Sequence, residues 1–197
     1  MNTDSLRINI LHPFTKTKDM KKTIILCGLI GGFIASAWML FLILAYGDSH
    51  PIMENGMFYG YAMMLLAFSL IFVAIRNYRD KHNDGMVSFG KAFRIGLFIT
   101  LIASTVYVAI WLVEYFYFVP DFADKYADHY LDKMKANGAT QAAIAEQTAQ
   151  FAQFRKMYKN PFYNAMLTYA EILPVGLLVS LIAALVLKRK QRISVAV

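Results

Sequence analysis

The chain has 197 residues, of which 58% are hydrophobic and 17% are charged, with one cysteine and a formal net charge of +7. Soluble domains carry about 45–50% apolar and about 25% charged residues, so this composition is typical of a membrane protein. It excludes a disordered tail, a disulfide-stapled secreted domain and an ordinary soluble enzyme.

Four stretches are apolar over the roughly 20 residues that a helix needs to cross a hydrocarbon core. The predicted spans are residues 23–46, 57–75, 95–119 and 167–187. Because every backbone polar group in lipid must be hydrogen-bonded within its own segment, we expect four transmembrane α-helices and an all-α fold. The first apolar run is longer than the core of a secretory signal peptide, so we interpret it as a retained anchor.

The remaining sequence is organised around these spans. We expect one transmembrane domain, residues 21–190, with polar tails at both ends and a helical hairpin between the third and fourth spans. The predicted N-terminal tail, hairpin and C-terminal tail are residues 1–20, 120–160 and 191–197.

Small residues recur at four-residue spacing in the first and last spans. Such residues let two helices approach closely, and van der Waals contact then drives their association in lipid. The spacing indicates packing faces, whose partner is either another helix of the same bundle or a second copy in a homodimer. The predicted packing residues are Gly28, Gly32, Ser36, Gly176, Ser180 and Ala184.

Basic residues are distributed asymmetrically. Five precede the first span, five lie between the second and third, and four follow the last, which is fourteen of the 20. The positive-inside rule therefore predicts cytoplasmic N- and C-termini and an extracytoplasmic hairpin.

We interpret the basic residues of the connection between the second and third spans as anchors to lipid phosphates, with docking of a cytoplasmic partner as the alternative. These anchors are Arg76, Arg79, Lys91 and Arg94. No basic cluster is interleaved with aromatic residues, so a nucleic-acid partner is not expected.

The predicted hairpin has helical periodicity and recognisable ends. Aromatic and apolar residues recur every four positions, at Phe122, Tyr126, Tyr130 and Met134. That spacing lies on one face of a helix. Asn137-Gly138 is a typical C-terminal cap, and Thr140 can cap a second helix. Asn160 followed by Pro161 predicts the start of the last helix.

Two carboxylates lie inside predicted spans at similar depth. Glu114 is near the outer end of the third span and Glu171 near the outer start of the fourth. Ionisable residues in spans usually face the bundle interior and mark functional sites. The pair can share a proton or bind a cation; alternatively, each carboxylate reaches the headgroups or accepts a hydrogen bond from a tyrosine. Pro174 deprives the Ala170 carbonyl of its helical donor, as occurs at transporter sites and at plain structural kinks.

Catalytic and metal-binding motifs are not found in the sequence. The four histidines are scattered and the cysteine is alone, so we expect no metal site, cofactor or disulfide. No nucleophile elbow, P-loop or dinucleotide fingerprint occurs, and enzymatic activity is unsupported.

Four segments of the chain resemble a known family. They are FSLIFVAIRNYRD at 68–80, SFGKAFRIG at 88–96, YKNP at 158–161 and EILPVG at 171–176. Together they resemble an uncharacterised bacterial family of small membrane proteins, the domain-of-unknown-function family numbered four-one-nine-nine, over roughly residues 21 to 190. The resemblance implies a four-span protein of the inner membrane of Gram-negative bacteria. It implies no activity and no site residues.

Two functions follow as hypotheses. The first is a non-enzymatic inner-membrane protein whose hairpin mediates interaction or assembly on the envelope side; its partners are the lipid bilayer and either a second copy or other envelope membrane proteins. The second is a small ion- or proton-coupled transporter that uses Glu114 and Glu171. The two hypotheses are distinguished by the orientation of these glutamates. The transporter requires them to face a common cavity, whereas glutamates that point toward the headgroups favour the interaction role.

Overall fold

The computed structural model describes residues 3–46 and 56–189, with side chains from residue 20 onward. The described part is all α-helical, as predicted, and contains no β-strand. Its helices are α1 (Thr3–Tyr46), α2 (Gly56–Asn77), α3 (Phe89–Val113), α4 (Phe122–Ala136), α5 (Gln141–Tyr158) and α6 (Pro161–Leu187). One π-helical turn, Tyr78–His82, extends α2, and a second, Glu114–Phe118, extends α3.

Four helical segments are long and apolar enough to cross a membrane: Met20–Tyr46, Gly56–His82, Phe89–Phe118 and Pro161–Leu187. The prediction of a multi-pass protein with four spans is therefore confirmed. Two helices begin earlier than the apolar spans suggested, since α3 starts at Phe89 and α6 at Pro161. Hydropathy marks where a helix enters hydrocarbon, whereas the helix itself begins at its capping residue. The backbone of α1 likewise extends back to Thr3, through most of the predicted tail. The predicted C-terminal tail lies outside the described residues.

The helix ends are set by local hydrogen bonds of the predicted kind. Ser88 accepts from the backbone N–H of Lys91, and Thr140 accepts from that of Ala143. The Asn160 side chain caps α6 by accepting from the N–H groups of the next turn, with Pro161 at the first position. The caps at Thr140 and Asn160 confirm the predicted starts of α5 and α6. The predicted stop after α4 is also confirmed, because Asn137 is its C-cap and Gly138 adopts a φ of +77°.

The membrane-crossing helices form a four-helix bundle. Both α2 and α3 pack against α1 and α6. The core between them is fully buried, and its large side chains include Phe68, Ile71, Ile75, Ile99 and Ile172. The outer surface is also apolar, with Phe33, Leu44, Phe98 and Val186 all more than half exposed. An apolar exterior of this kind suits contact with lipid tails.

Glycines bring the backbones of α1 and α6 close to α3. A Cβ atom added at Gly28 would lie 2.7 Å from Ile102 Cβ, and one added at Gly32 would lie 2.4 Å from Val106 Cβ. On the other side, a Cβ at Gly176 would lie 2.4 Å from Thr100 Cγ2. Both small-residue faces predicted from the sequence therefore contact α3 of the same chain.

The rest of these two faces is buried in the same contacts. Ser180 shares a hydrogen bond with Thr100 (3.1 Å), and Ala184 is fully buried. Ser36 donates to the Gly32 carbonyl (3.1 Å) within α1. Gly96 of α3, which the spacing argument did not single out, faces Ser180, whose Oγ would be 2.7 Å from an added Cβ.

A short backbone contact joins two chain segments at one end of the bundle. Val87 and Arg189 exchange two backbone hydrogen bonds, of 3.1 and 2.8 Å. The connection between α2 and α3 is thus attached to the end of α6. Helices α4 and α5 lie at the opposite end of the bundle, where α3 ends and α6 begins.

Replacing Gly176 with alanine tests the close packing on α3. The new methyl group would overlap Thr100 and the ring of Phe68, which is fully buried and cannot move aside. Overpacking of this kind costs about 1–3 kcal/mol. We therefore expect Gly176→Ala to lower the thermal unfolding midpoint in detergent. Gly90→Ala in α3 is the matched control, because an added Cβ there meets nothing within 4 Å. Equal midpoints for the two variants would contradict the packing argument.

Candidate functional site

A cavity of about 820 Å³ lies at the α4–α5 end of the bundle. All six helices contribute to its lining, through residues between 35–42, 56–64, 107–114, 122–126, 147–158 and 167–171. Further along the bundle the helices close on the packed core, since Phe68, Ile99 and Ile172 are fully buried. The cavity therefore occupies one half of the bundle, and close packing fills the other half.

The two predicted carboxylates line this cavity together. Glu114 is only 4% exposed, and its Oε1 atom is buried with no hydrogen-bond partner among the described residues. Glu171 is exposed. Tyr107 lines the same cavity. The glutamates thus share one chamber and differ in how far each is withdrawn from solvent.

A π-helical turn holds Glu114 in place. The carbonyl of Glu114 accepts from the backbone N–H of Val119 (2.9 Å), a bond that spans five residues instead of four. π-Helical turns are rare and frequently occur at functional sites. The wider turn separates inward from outward residues at the end of α3: Tyr115 is 2% exposed, and Tyr117 is 80% exposed. No sequence pattern indicated this turn.

A buried hydrogen-bond network forms one wall of the cavity. Trp111 Nε1 donates to Tyr158 Oη (3.2 Å) and to Asn164 Oδ1 (3.0 Å). Asn164 is fully buried, and its Nδ2 donates to the Tyr158 carbonyl (3.4 Å). The hydroxyl of Thr168 donates to the Asn164 carbonyl (2.8 Å). The network joins α3, α5 and α6 around the chamber.

Tyr158 is the link between this network and the aromatic side chains around it. Its ring is edge-on to that of Tyr115, with centroids 5.0 Å apart. Burial raises the pKa of Tyr158, and the nearby charge of Glu171 raises it further. Tyr158 is therefore a neutral hydrogen-bonding residue at physiological pH. In the sequence, Tyr158 was noted only as part of the YKNP segment of the family resemblance, and Trp111 and Asn164 had no predicted role, although an asparagine inside a membrane-crossing helix is a polar group that must find a partner.

The α4–α5 pair covers the cavity. Phe122 and Tyr126 of α4 and Phe151 and Phe154 of α5 belong to its lining. Phe151 lies edge-on to Tyr126, with centroids 6.4 Å apart. The apolar face predicted from four-residue spacing therefore points toward α5 and the chamber.

Salt bridges connect α5 to α4. Arg155 lies 3.1 Å from Asp124 and 2.8 Å from Asp128, measured between nitrogen and carboxylate oxygen. Arg155 also donates to the Asp124 backbone carbonyl (3.3 Å). Asp124 and Asp128, two of the three acidic residues of α4, are thus paired with one arginine of α5.

Pro174 lies outside the lining. Helix α6 continues through it, and its side chain is exposed. The residue whose carbonyl it leaves without a helical donor, Ala170, does line the cavity, next to Glu171. Pro174 itself thus does not line the chamber, and its effect there is on the backbone of α6, at the carbonyl of Ala170.

The predicted lipid anchors lie at the other end of the bundle. Arg76 is exposed and lies 3.6 Å from Asp80, and Arg79 pairs with the same carboxylate at 2.7 Å. Lys91 lies over the ring of Tyr78, 5.6 Å from its centroid, and Arg94 is exposed. Within the described segments, no three His, Cys, Asp or Glu side chains lie close enough to hold a metal ion.

The family described as Protein of unknown function (DUF4199) matches residues 26–189, and the chain belongs to this family. The resemblance seen in the sequence is thereby confirmed. No curated protein matches the chain, and no solved structure does. The family description supplies no activity, so functional argument rests on the cavity.

Substitution of Trp111 tests the buried network. Trp111→Phe removes the one donor shared by Tyr158 Oη and Asn164 Oδ1. Asn164 Oδ1 then keeps only a longer contact from the Thr168 hydroxyl, at 3.4 Å. Leaving a buried acceptor poorly satisfied costs up to about 1–3 kcal/mol, so we expect a lower unfolding midpoint in detergent.

Trp38→Phe is the matched control, because Trp38 also lines the cavity and its ring stacks on Tyr59 at 4.6 Å. A loss of stability no larger in Trp111→Phe than in the control would contradict a stabilising role for the network.

Proposed function

We propose that the protein is a small membrane carrier that couples movement of its substrate to an ion or proton through Glu114 and Glu171. One observation carries the proposal: Glu114 is almost fully buried, with an unpartnered carboxylate oxygen, and lines a cavity with a second glutamate. A charged side chain inside a span is costly, by about 2.5–3.5 kcal/mol at the centre and less toward the ends, where Glu114 lies. A buried carboxylate without a protein partner is suited to bind a mobile ligand, such as a proton or a cation.

The chemistry of coupling follows from charge neutralisation. A protonated Glu114 is neutral, and an ionised Glu114 beside a bound cation forms a neutral pair. Either state avoids an isolated charge in an apolar bundle, so proton and cation compete for one carboxylate. When the cation enters, the proton leaves to water. The titratable side chains of the described lining are Glu114, Glu171, Tyr61, Tyr107, Tyr126 and Tyr158.

The shape of the bundle supports a site that is reached from one end at a time. The chamber occupies the α4–α5 half, and the glycine contacts of α1 and α6 with α3 close the other half. Carriers present a central site alternately to the two sides of the membrane. In this proposal the described conformation is one of two, and the second requires α3 to separate from a neighbour.

We place the protein in the bacterial inner membrane with both termini in the cytoplasm. The support is the positive-inside bias of fourteen of 20 basic residues. The Val87–Arg189 contact is consistent with this placement, since it joins two of the basic segments at one end of the bundle. The α4–α5 pair and the cavity then lie toward the extracytoplasmic side.

A non-enzymatic interaction or assembly role for α4 and α5 is the second candidate. Tyr130 and Met157 keep 43% and 36% of their surfaces exposed, and neither lines the cavity. Phe122, Tyr126, Phe151 and Phe154 of the pair, however, line the chamber. We therefore place the carrier first.

Substitution of the buried carboxylate tests the carrier. Wild-type protein in proteoliposomes is exposed to a panel of organic cations, organic anions and neutral solutes across an imposed pH gradient, and transport currents are recorded on solid-supported membranes. We expect Glu114→Gln to reduce the current roughly tenfold or more, because a buried charge pair is lost.

Glu146→Gln is the matched control, since Glu146 is exposed on α5 and lies outside the cavity lining. Substrate-driven current that persists in the Glu114→Gln plus Glu171→Gln double variant would contradict the proposal, as would a wild-type protein that moves no solute in the panel.

A further inference from the structure

We infer that the ligand of the cavity is an organic cation with an apolar body, an inference that rests on the proposed function for its site. The two carboxylates would hold the charge of such a ligand, and the aromatic lining would hold the remainder.

The lining is acidic although the chain as a whole is basic. The formal net charge is +7, yet the described residues of the lining include two glutamates and no lysine, arginine or histidine. The basic residues of the spans lie at the far end of the bundle. A cleft lined by one sign of charge, with walls of low dielectric constant, attracts the opposite charge and repels its own. The chamber therefore selects against anions.

Aromatic rings line the same cavity as the two carboxylates. Those that the inference uses are Trp38, Tyr61, Tyr107, Trp111, Tyr126 and Phe154. The face of an aromatic ring attracts cations, and protein sites for quaternary ammonium groups combine several such faces. Tyr107 and Trp111 line the same cavity as both glutamates, so a cation held by these rings shares the chamber with both carboxylates.

An inorganic cation fits the chamber less well. Calcium takes six to eight oxygen ligands, and magnesium requires octahedral coordination. The described residues contain no group of three metal-ligating side chains, and the aromatic walls cannot replace a lost hydration shell. An organic cation carries apolar surface that gains from burial against these walls.

The size of the chamber suits one ligand of this class. Pockets for small molecules have volumes of roughly 300–1,000 Å³, and the cavity measures about 820 Å³. The chamber is therefore large for a hydrated metal ion and appropriate for an organic molecule with several rings or branches.

Two ions of the same shape and opposite charge test the inference. Tetraphenylphosphonium and tetraphenylborate each carry four phenyl rings around a central atom. Full-length protein in detergent is titrated with each ion while tryptophan fluorescence is recorded, because both tryptophans of the chain, Trp38 and Trp111, line the cavity. We expect saturable quenching by the phosphonium, with an affinity at least about tenfold higher than that for the borate.

Variants show whether the carboxylates cause this preference. We expect Glu114→Gln to weaken phosphonium binding roughly tenfold or more, while Glu146→Gln leaves it unchanged. If Glu114→Gln is not monodisperse in detergent, Glu171→Gln takes its place. Equal affinity for the two ions, no saturable binding of either, or binding unaffected by both cavity variants overturns the inference.

The outcomes separate this inference from the carrier itself. If the protein binds the phosphonium selectively but shows no substrate-driven current, the proposed ligand class is supported and the proposed carrier function is refuted. If the protein shows glutamate-dependent currents with anions or neutral solutes and does not prefer the phosphonium, the carrier function is supported and the proposed ligand class is refuted.

Discussion

The free-energy cost of burying a carboxylate among apolar helices constrains one half of this bundle. Glu114 is 4% exposed, and its Oε1 atom has no hydrogen-bond partner among the described residues. The π-helical turn that begins at Glu114 and the Trp111–Asn164 hydrogen bond on the adjoining wall keep α3 and α6 in fixed relation around it. We propose that this carboxylate, which has the cavity beside it, binds a mobile proton or cation.

The distribution of side-chain size divides the bundle into a closely packed half and a half that contains the cavity. Where α3 meets α1 and α6 through Gly32 and Gly176, the backbones approach so closely that a single methyl group would overlap the neighbouring helix. Toward the α4–α5 end, large aromatic residues such as Trp38 and Trp111 hold the helices apart, and the cavity forms between them. Small residues thus close one half in van der Waals contact, and the rings of the other half provide walls for a chamber.

The sequence predicted those features that depend on neighbours along the chain. The four spans follow from runs of apolar residues, and the caps at Ser88, Thr140 and Asn160 follow from local hydrogen-bonding chemistry. The similar depth of Glu114 and Glu171 also follows from their distance to the ends of their spans, and so their shared cavity was anticipated as one alternative. Contacts between distant segments could not be predicted, because hydropathy does not say which helices are neighbours. Examples are the hydrogen bond from Trp111 to Asn164 and the cover that α4 and α5 form over the chamber.

Water access to the chamber is the property on which the account depends, and cysteine labelling measures it directly. The chain has one cysteine, Cys27, so a Cys27→Ser background allows single cysteines to be introduced. Ala170 lines the cavity, whereas Val113 is half exposed on the outer surface of α3, next to Glu114. In membranes, the account predicts that Ala170→Cys reacts with a membrane-impermeant, cationic thiol reagent from one side only, and that Val113→Cys in the lipid does not react. An unreactive Ala170→Cys, or equal labelling at the two positions, would contradict it.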